Sequence, residues 1–435
     1  MKLNLLRRVI LLIFAFLVCT NSLFSWGSHY LVMDRSLEHP SMAFTDKKVK
    51  VETLDKFLAS EKDKLKVLFD DYYIWLGKRG STRFKKAEFQ VKNPNTLAFL
   101  KAARLNPSTK YMLVNRILPG SKPTLKTVDK DLVSPYFKTY KGNFYMVFED
   151  VTGQDVSIRS ILTTFIDEPD WNMDHKLWDF PEYGYGTQPY GKNEGESSKA
   201  PFHMQFLHEN LLIKKFAPNI VSGGMMLDRI ELFSRLASLA LQTGHEYWAY
   251  RFSAWASHYI QDLGQPYHSK ASPSANWWFY IKFILSPNRA KIQSEAETLL
   301  GNRHFAYEDF VSVALEKSYT DTNPLYQNLV KFASKGDSIY SGVNTPEELM
   351  NHQSTFAAEH SQTLDKAIVK AFGPKMTEDP SYVLENDSKF SMDAFLKSIK
   401  QNDSDLLLSE TGKDFEMTGR GTRTMISIIR ANSKK

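Results

Sequence analysis

Thiol chemistry is almost missing from this sequence. Its 435 residues hold one cysteine, Cys19, and that residue falls in an N-terminal stretch that reads as an export signal. The chain beyond it forms no disulfide of its own and offers no thiolate, so any metal site must use nitrogen and oxygen donors. Long apolar runs are scarce too. After Val9–Val18 no segment is long and apolar enough to cross a bilayer. Net charge is also small. It is +6 overall, and the first 25 residues carry three basic side chains and no acid, which leaves +3 without them. A balance that mild argues neither for nor against a nucleic-acid partner. Internal repeats and long low-complexity segments are absent as well.

What is present begins with the signal. Lys2, Arg7 and Arg8 precede the apolar run, and small polar residues come after it, as in a secretory signal over residues 1–25. The expected location is therefore secreted or periplasmic. "FLVC" loosely resembles a lipoprotein processing site, so a lipid anchor through Cys19 is the alternative. The remaining chain of about 410 residues suffices for one large core or two domains.

Most of it reads as helix. In "EYWAYRFSAWASHYIQD", Trp248, Phe252, Trp255 and Tyr259 recur at helical spacing, with Arg251, Trp255, His258 and Asp262 on the adjoining face. Gly264 and Pro266 then end the helix. Residues 226–241, 304–316 and 352–371 carry similar patterns. Residues 46–165 add β-leaning runs, "KYMLVNRIL" and "NFYMVFEDV", which predict a mixed α/β insertion. Residues 181–200, rich in Gly, Pro, Tyr and Ser, read as a long surface loop. The expected fold class is mainly all-α, a multi-helix bundle. Its expected parts are a signal (1–25), a helical domain (26–330) holding the insertion at about 46–165, and a C-terminal helical extension (331–435) packed on the core.

The residues able to do chemistry cluster by spacing. His258 and Asp262 lie four apart, hence on one helix face, and His268 comes just after the helix break. His304 and Glu308 repeat that spacing, with Asn302 placed to cap their helix. One His-x3-Asp pair is usually a surface or capping pair. Two pairs with a third histidine between them suit a metal such as zinc. If the signal ends at Ser25, the new N-terminus is Trp26, whose free α-amine can join a coordination shell.

With these pieces together, the chain resembles the zinc-dependent phospholipase C and single-strand nuclease family, all-α hydrolases with three clustered zinc ions. Trp26 fits the N-terminal ligand and His29, in "GSHYLVMDRSL", the first histidine. Asp170 in "EPDWNMD" and His203 in "APFHMQF" fit the next two positions. "HYIQDLGQPYH" fits the central motif at His258, Asp262 and His268, and His304 with Glu308 the closing pair. His39 competes with His29, Asp167 with Asp170, and His208 with His203. His175, His245, His352 and His360 read as surface or structural histidines. The chain departs from the family in the long 46–165 insertion and in stretched spacings after Asp170 and after His268, which could alter the substrate without touching the metals.

The resemblance implies three Zn²⁺ per chain. Asp170, His203, His258 and Asp262 would hold one, with Asp262 shared toward the zinc of Trp26 and His29, and His268, His304 and Glu308 would hold the third. It implies phosphodiester hydrolysis, with Asp170 orienting or deprotonating the attacking water. A phospholipid or membrane surface is the expected partner of a monomer, and the aromatic run "NWWFYIKFIL" (276–285) suits a lipid interface. Single-stranded nucleic acid is the alternative substrate, and a non-catalytic exported binding protein the alternative of another class.

Overall fold

A computed structural model describes residues 28–79, 89–138, 145–211, 214, 218–270, 273, 281 and 285–434. The stretch read as an export signal (1–25), Cys19, Trp26 and the aromatic residues 277–280 lie outside the described residues.

The described chain is mostly helical. The elements that frame the site are α1 (His29–Ser36), α2 (Lys62–Lys78), α3 (Ile158–Phe165), α4 (Met226–Gln242), α5 (Glu246–Gly264), α6 (Arg289–Thr320), α7 (Pro346–Thr377) and α8 (Gln401–Asn432). Helix α5 is the axis. Every residue from Tyr247 to Gly264 is buried, polar ones included, because α3, α4, α7 and α8 all pack on it. The aromatic periodicity predicts one apolar stripe, but the helix is enclosed on all sides. Residues such as Phe252, wholly buried, each contribute roughly 1.5–3 kcal/mol of transfer free energy.

Helix α8 packs tightly against both α5 and the 332–334 turn. A Cβ on Gly264 would meet Thr418 Oγ1 at 2.1 Å, and one on Gly419 would meet the Ala333 carbonyl at 1.9 Å. Only glycine fits at such approaches. Ala357, Phe415 and Ile429, from α7 and α8, belong to the same buried cluster as the α5 side chains. Helix α7 starts at a capping box, Thr345 with Glu348, and breaks at Gly373 (φ 75°) before Pro374.

The 46–165 region is mixed α/β. Strand β1 (Lys48–Lys50) pairs antiparallel with β5 (Asp155–Ser157). A second sheet runs β2 (Val114–Arg116), β4 (Phe148–Asp150), β3 (Thr127–Val128), all antiparallel. Strand β5 leads directly into α3, which Ser157 caps by accepting from the Ser160 N–H. The region therefore fixes α3 and, through it, the turn that carries Asp170.

Two readings change. Asn302 does not cap a helix, because α6 begins well before it, at Arg289. Its amide instead donates to the Tyr382 carbonyl and accepts from the Leu384 N–H, pinning that loop to α6. Residues 181–200 form an irregular segment that lies only in part at the surface: Glu182, Gly186, Thr187, Lys192 and Glu194 are exposed, but residues 197–200 are buried. Tyr183, Tyr185 and Tyr190 are buried, and their hydroxyls donate to the carbonyls of Leu105, Arg104 and Met204. Tyrosine allows this, since its ring can be buried while its hydroxyl finds a partner.

Helices α7 and α8 share a charged clasp. His360 Nδ1 lies 2.6 Å from Asp414 Oδ1, and Nε2 lies 2.7 Å from Glu410 Oε2. Burial opposes the charge, but the two carboxylates carry the imidazole up to about 9. A folded pKa above the unfolded ~6.5 stabilises the fold fully below about pH 6.5, and that stabilisation is lost as pH rises through about 9. The urea midpoint of the wild type is expected to fall toward that of His360→Gln across this window. Parallel profiles for the two proteins would refute the clasp.

Candidate metal centre

The site starts from α5. Its i, i+4 spacing sets His258 and Asp262 on one face, with His258 Nε2 3.2 Å from Asp262 Oδ2. Gln265 ends the helix in extended conformation, and its side chain accepts from the Tyr267 N–H. Pro266 then opens a short turn, Pro266–Ser269, that swings His268 back until Nδ1 is 3.3 Å from Asp262 Oδ1.

The other candidates arrive from distant elements. His29 is the first residue of α1. Asp170 closes a tight turn, Glu168–Asp170, after α3. That turn is gripped from α5: Arg251 donates to both Glu168 oxygens, and the Trp255 indole N–H donates to one of them at 2.7 Å. His203 ends the short helix Ala200–His203. His304 and Glu308 face inward from α6, with His304 Nε2 2.9 Å from Glu308 Oε1.

Together they form three groups of ligand atoms, each group within 4.8 Å of one another: His29, His258 and Asp262; Asp170, His203 and His258; His268, His304 and Glu308. Asp262 joins them. Its Oδ2 faces His203 Nδ1 at 2.8 Å and His258 Nε2 at 3.2 Å, while its Oδ1 faces His29 Nε2 at 3.4 Å and His268 Nδ1 at 3.3 Å. His268 presents its other nitrogen, Nε2, to Glu308 Oε1 at 3.3 Å.

Spacing tests whether a cation fits. Tetrahedral zinc with bonds of about 2.0–2.1 Å holds its donors about 3.3–3.4 Å apart. Among Asp170 Oδ1, His203 Nδ1, His258 Nε2 and Asp262 Oδ2, the five separations that involve a histidine are 2.8, 3.1, 3.2, 3.6 and 3.8 Å. Two buried imidazole nitrogens 3.1 Å apart, both turned to one carboxylate oxygen, suit a shared cation. His258 Nδ1 and Glu308 Oε2 are also buried with no hydrogen-bond partner. These residues fit a metal site, and the donor set is all nitrogen and oxygen.

Charge points the same way. Burial would raise Asp170, but Lys199, His258 and His203 hold its carboxyl well below the usual range. Asp262 and Glu308 are likewise kept ionised, against burial, by the histidines around them. Burial lowers His203, yet Asp262, Asp174 and Asp170 carry it up to about 9. His258, buried beside His29, is pushed down to about 4. Converging carboxylates and imidazoles shut away from water are what a divalent cation requires.

Three supporting residues have no motif in the sequence. Asp174 backs His203, its Oδ2 3.3 Å from Nε2, and is itself held by Arg229 and the Tyr259 hydroxyl. Lys199 donates to Asp170 Oδ1. Gln261 aims His29. The Thr422 hydroxyl donates to the Thr418 carbonyl, so it must accept from Gln261 Nε2, which leaves Gln261 Oε1 to accept from His29 Nδ1 at 3.0 Å. His29 therefore turns Nε2 toward Asp262. Only Gln261 could have been suspected beforehand, from its place beside Asp262. Gln261→Leu is expected to weaken metal held by the His29 group by about 10- to 100-fold, read by competition with a chelator. Unchanged affinity would remove Gln261 from this role.

The competing residues fall elsewhere. His39 is an N-cap, accepting from the Ser41 N–H. Asp167 accepts from the Tyr30 N–H and pairs with Arg116. His208 lies against Ser354 on α7. His245 pairs with Glu52 and Glu61, and His352 packs on Tyr340. His175 is buried near Lys199 and Asp170 rather than at the surface. Compared with known protein families, curated proteins and solved structures, the chain matches none. Among the described residues no helix is long and apolar enough to cross a membrane.

Proposed function

We propose that this protein is an exported, zinc-dependent phosphodiester hydrolase, and that phospholipid is its substrate class, as in a phospholipase C. The observation that carries the reading is the convergence of eight residues, separated by up to hundreds of positions in sequence, into three buried nitrogen–oxygen groups. Those eight are the described residues that the resemblance selects. Trp26 would complete the His29 group through its α-amine once the signal is removed.

Divalent cations held there would supply a water ionised near neutral pH and positive charge for the phosphodiester oxygens. Asp170, kept ionised, would orient the attacking water and accept its proton. Its side chain is 12% exposed where the other seven are 0–6% exposed, so the substrate meets the cluster at Asp170. The mild net charge of the chain lends little support to the basic groove through which a polyanionic strand would bind.

The test uses protein exported from its own signal, with zinc counted per chain and phosphatidylcholine and single-stranded DNA offered in parallel. About three zinc ions with lipid cleaved and DNA spared is the expected result. Cleavage of DNA instead would move the protein to the nuclease branch. One zinc or none, with neither substrate touched, would leave a non-catalytic exported protein.

A further inference from the structure

We propose that Lys199 is a substrate-contacting residue of this centre, its ammonium receiving a non-bridging oxygen of the phosphoryl group beside Asp170. The inference rests on the hydrolase reading above.

Lys199 is 3% exposed, and a lysine is almost never buried without a reason. Its Nζ donates to Asp170 Oδ1. That oxygen is the one facing His203 Nδ1 and His258 Nε2, at 3.6 and 3.8 Å. The ammonium thus stands at the edge of the donor set, on the side where the centre is least covered.

The neighbouring acids are neutralised differently. Asp174 is paired with Arg229, Asp167 with Arg116 and Glu168 with Arg251. These arginines also bind carbonyls: Arg229 those of Ala103 and Arg104, Arg116 that of Tyr145, Arg251 that of Met112. They are fixed structural clamps. At Asp170, the least buried of the candidate ligands, the cation is a lysine, a compact charge on a flexible stem that can shift to a new partner.

Charge balance gives the reason for it. Asp170, Asp262 and Glu308 bring three negative charges, which three divalent cations already exceed. A further buried cation beside that surplus is unfavourable until an anion arrives. The substrate's phosphoryl group is such an anion, and a charge-assisted bond to it is the strong kind. His175 adds a neutral neighbour. The Lys176 N–H donates to Ser198 Oγ, which sets 175–176 beside 198–199, and His175 Nε2 is buried with no hydrogen-bond partner.

The experiment titrates inorganic phosphate into the zinc-loaded protein by calorimetry, for the wild type, Lys199→Met and Lys199→Arg, with zinc counted in each. Lys199→Met is expected to keep its zinc and lose phosphate affinity by about 10- to 100-fold, with Lys199→Arg recovering most of it. Full zinc with unchanged phosphate affinity in Lys199→Met would overturn the proposal alone. Zinc lost in Lys199→Met and restored in Lys199→Arg would also overturn it, since Lys199 would then only hold Asp170. A wild type without zinc would instead remove the hydrolase reading and this inference with it. The phosphate-bound crystal structure of the wild type needs no variant to fold. A phosphate oxygen within hydrogen-bond reach of Nζ supports the contact, and phosphate bound away from Lys199 refutes it.

Discussion

On the proposed three-zinc hydrolase reading, Asp262→Asn is expected to leave the chain with about one zinc in place of three, and to cut hydrolysis at least about 1,000-fold. Asp262 is wholly buried and uses both oxygens, Oδ2 toward His203 and His258, Oδ1 toward His29 and His268. Asparagine keeps the shape but removes the charge, and its NH₂ must face one of those two pairs of imidazoles as a donor. The groups around Asp170 and His29 lose their common ligand. The group of His268, His304 and Glu308 keeps its own carboxylate, so one ion should remain. Glu308→Gln should do the reverse, emptying that group and sparing the others. Zinc counting with circular dichroism on each variant separates metal loss from unfolding. An Asp262→Asn protein with its full complement of zinc would mean that Asp262 is not the shared ligand.

The largest effect on stability is expected from Arg423→Leu, at about 4 kcal/mol. Arg423 is wholly buried in α8, and among the described residues no carboxylate forms an ion pair with it. Its Nε donates to the Ser338 carbonyl, Nη1 to those of Ala333 and Ser36, and Nη2 to those of Lys335 and Asp337. Burial and the nearby Arg420 lower the guanidinium to about 10, which still leaves it charged at neutral pH. One side chain thus ties the 333–338 loop and the C-terminal end of α1 to α8. Leucine would leave those carbonyls without their donor, and the loss should appear as a lower urea midpoint. Arg423→Lys keeps the charge but has three donors in place of five, so about half the loss is expected. A loss under about 1 kcal/mol in Arg423→Leu would show that water or neighbouring groups take over those carbonyls.

Both predictions depend on contacts of unequal visibility in the sequence. The pair His258 and Asp262 was legible because four residues make about one helical turn, and Gly264 with Pro266 announced the break before His268. His304 and Glu308 were legible in the same way. The choice of His29 over His39, or of Asp170 over Asp167, was not, since each pair differs only in where folding carries it. His39 ends as a cap and Asp167 as the partner of Arg116. Asn302 looked like a cap because the same polar side chain that caps a helix can bridge two backbone groups from inside one. Lys199 was hidden by composition. A segment full of Gly, Pro, Tyr and Ser reads as solvent-exposed, but its tyrosines bury their rings and satisfy their hydroxyls on carbonyls, taking Lys199 inward with them.

The sequence by itself determined the helical class, the restriction of thiol chemistry to the single Cys19, and the residue types from which a metal centre could be made. These come from composition and from periodicities of a few residues, which any short window displays. Tertiary structure alone decided that Asp262 divides its two oxygens among four histidines, that α8 aims His29 through Thr422 and Gln261, and that a buried lysine pairs with Asp170. Those outcomes depend on how α1, α5, α6 and α8 pack, and side-chain interdigitation between distant helices leaves no local pattern to read.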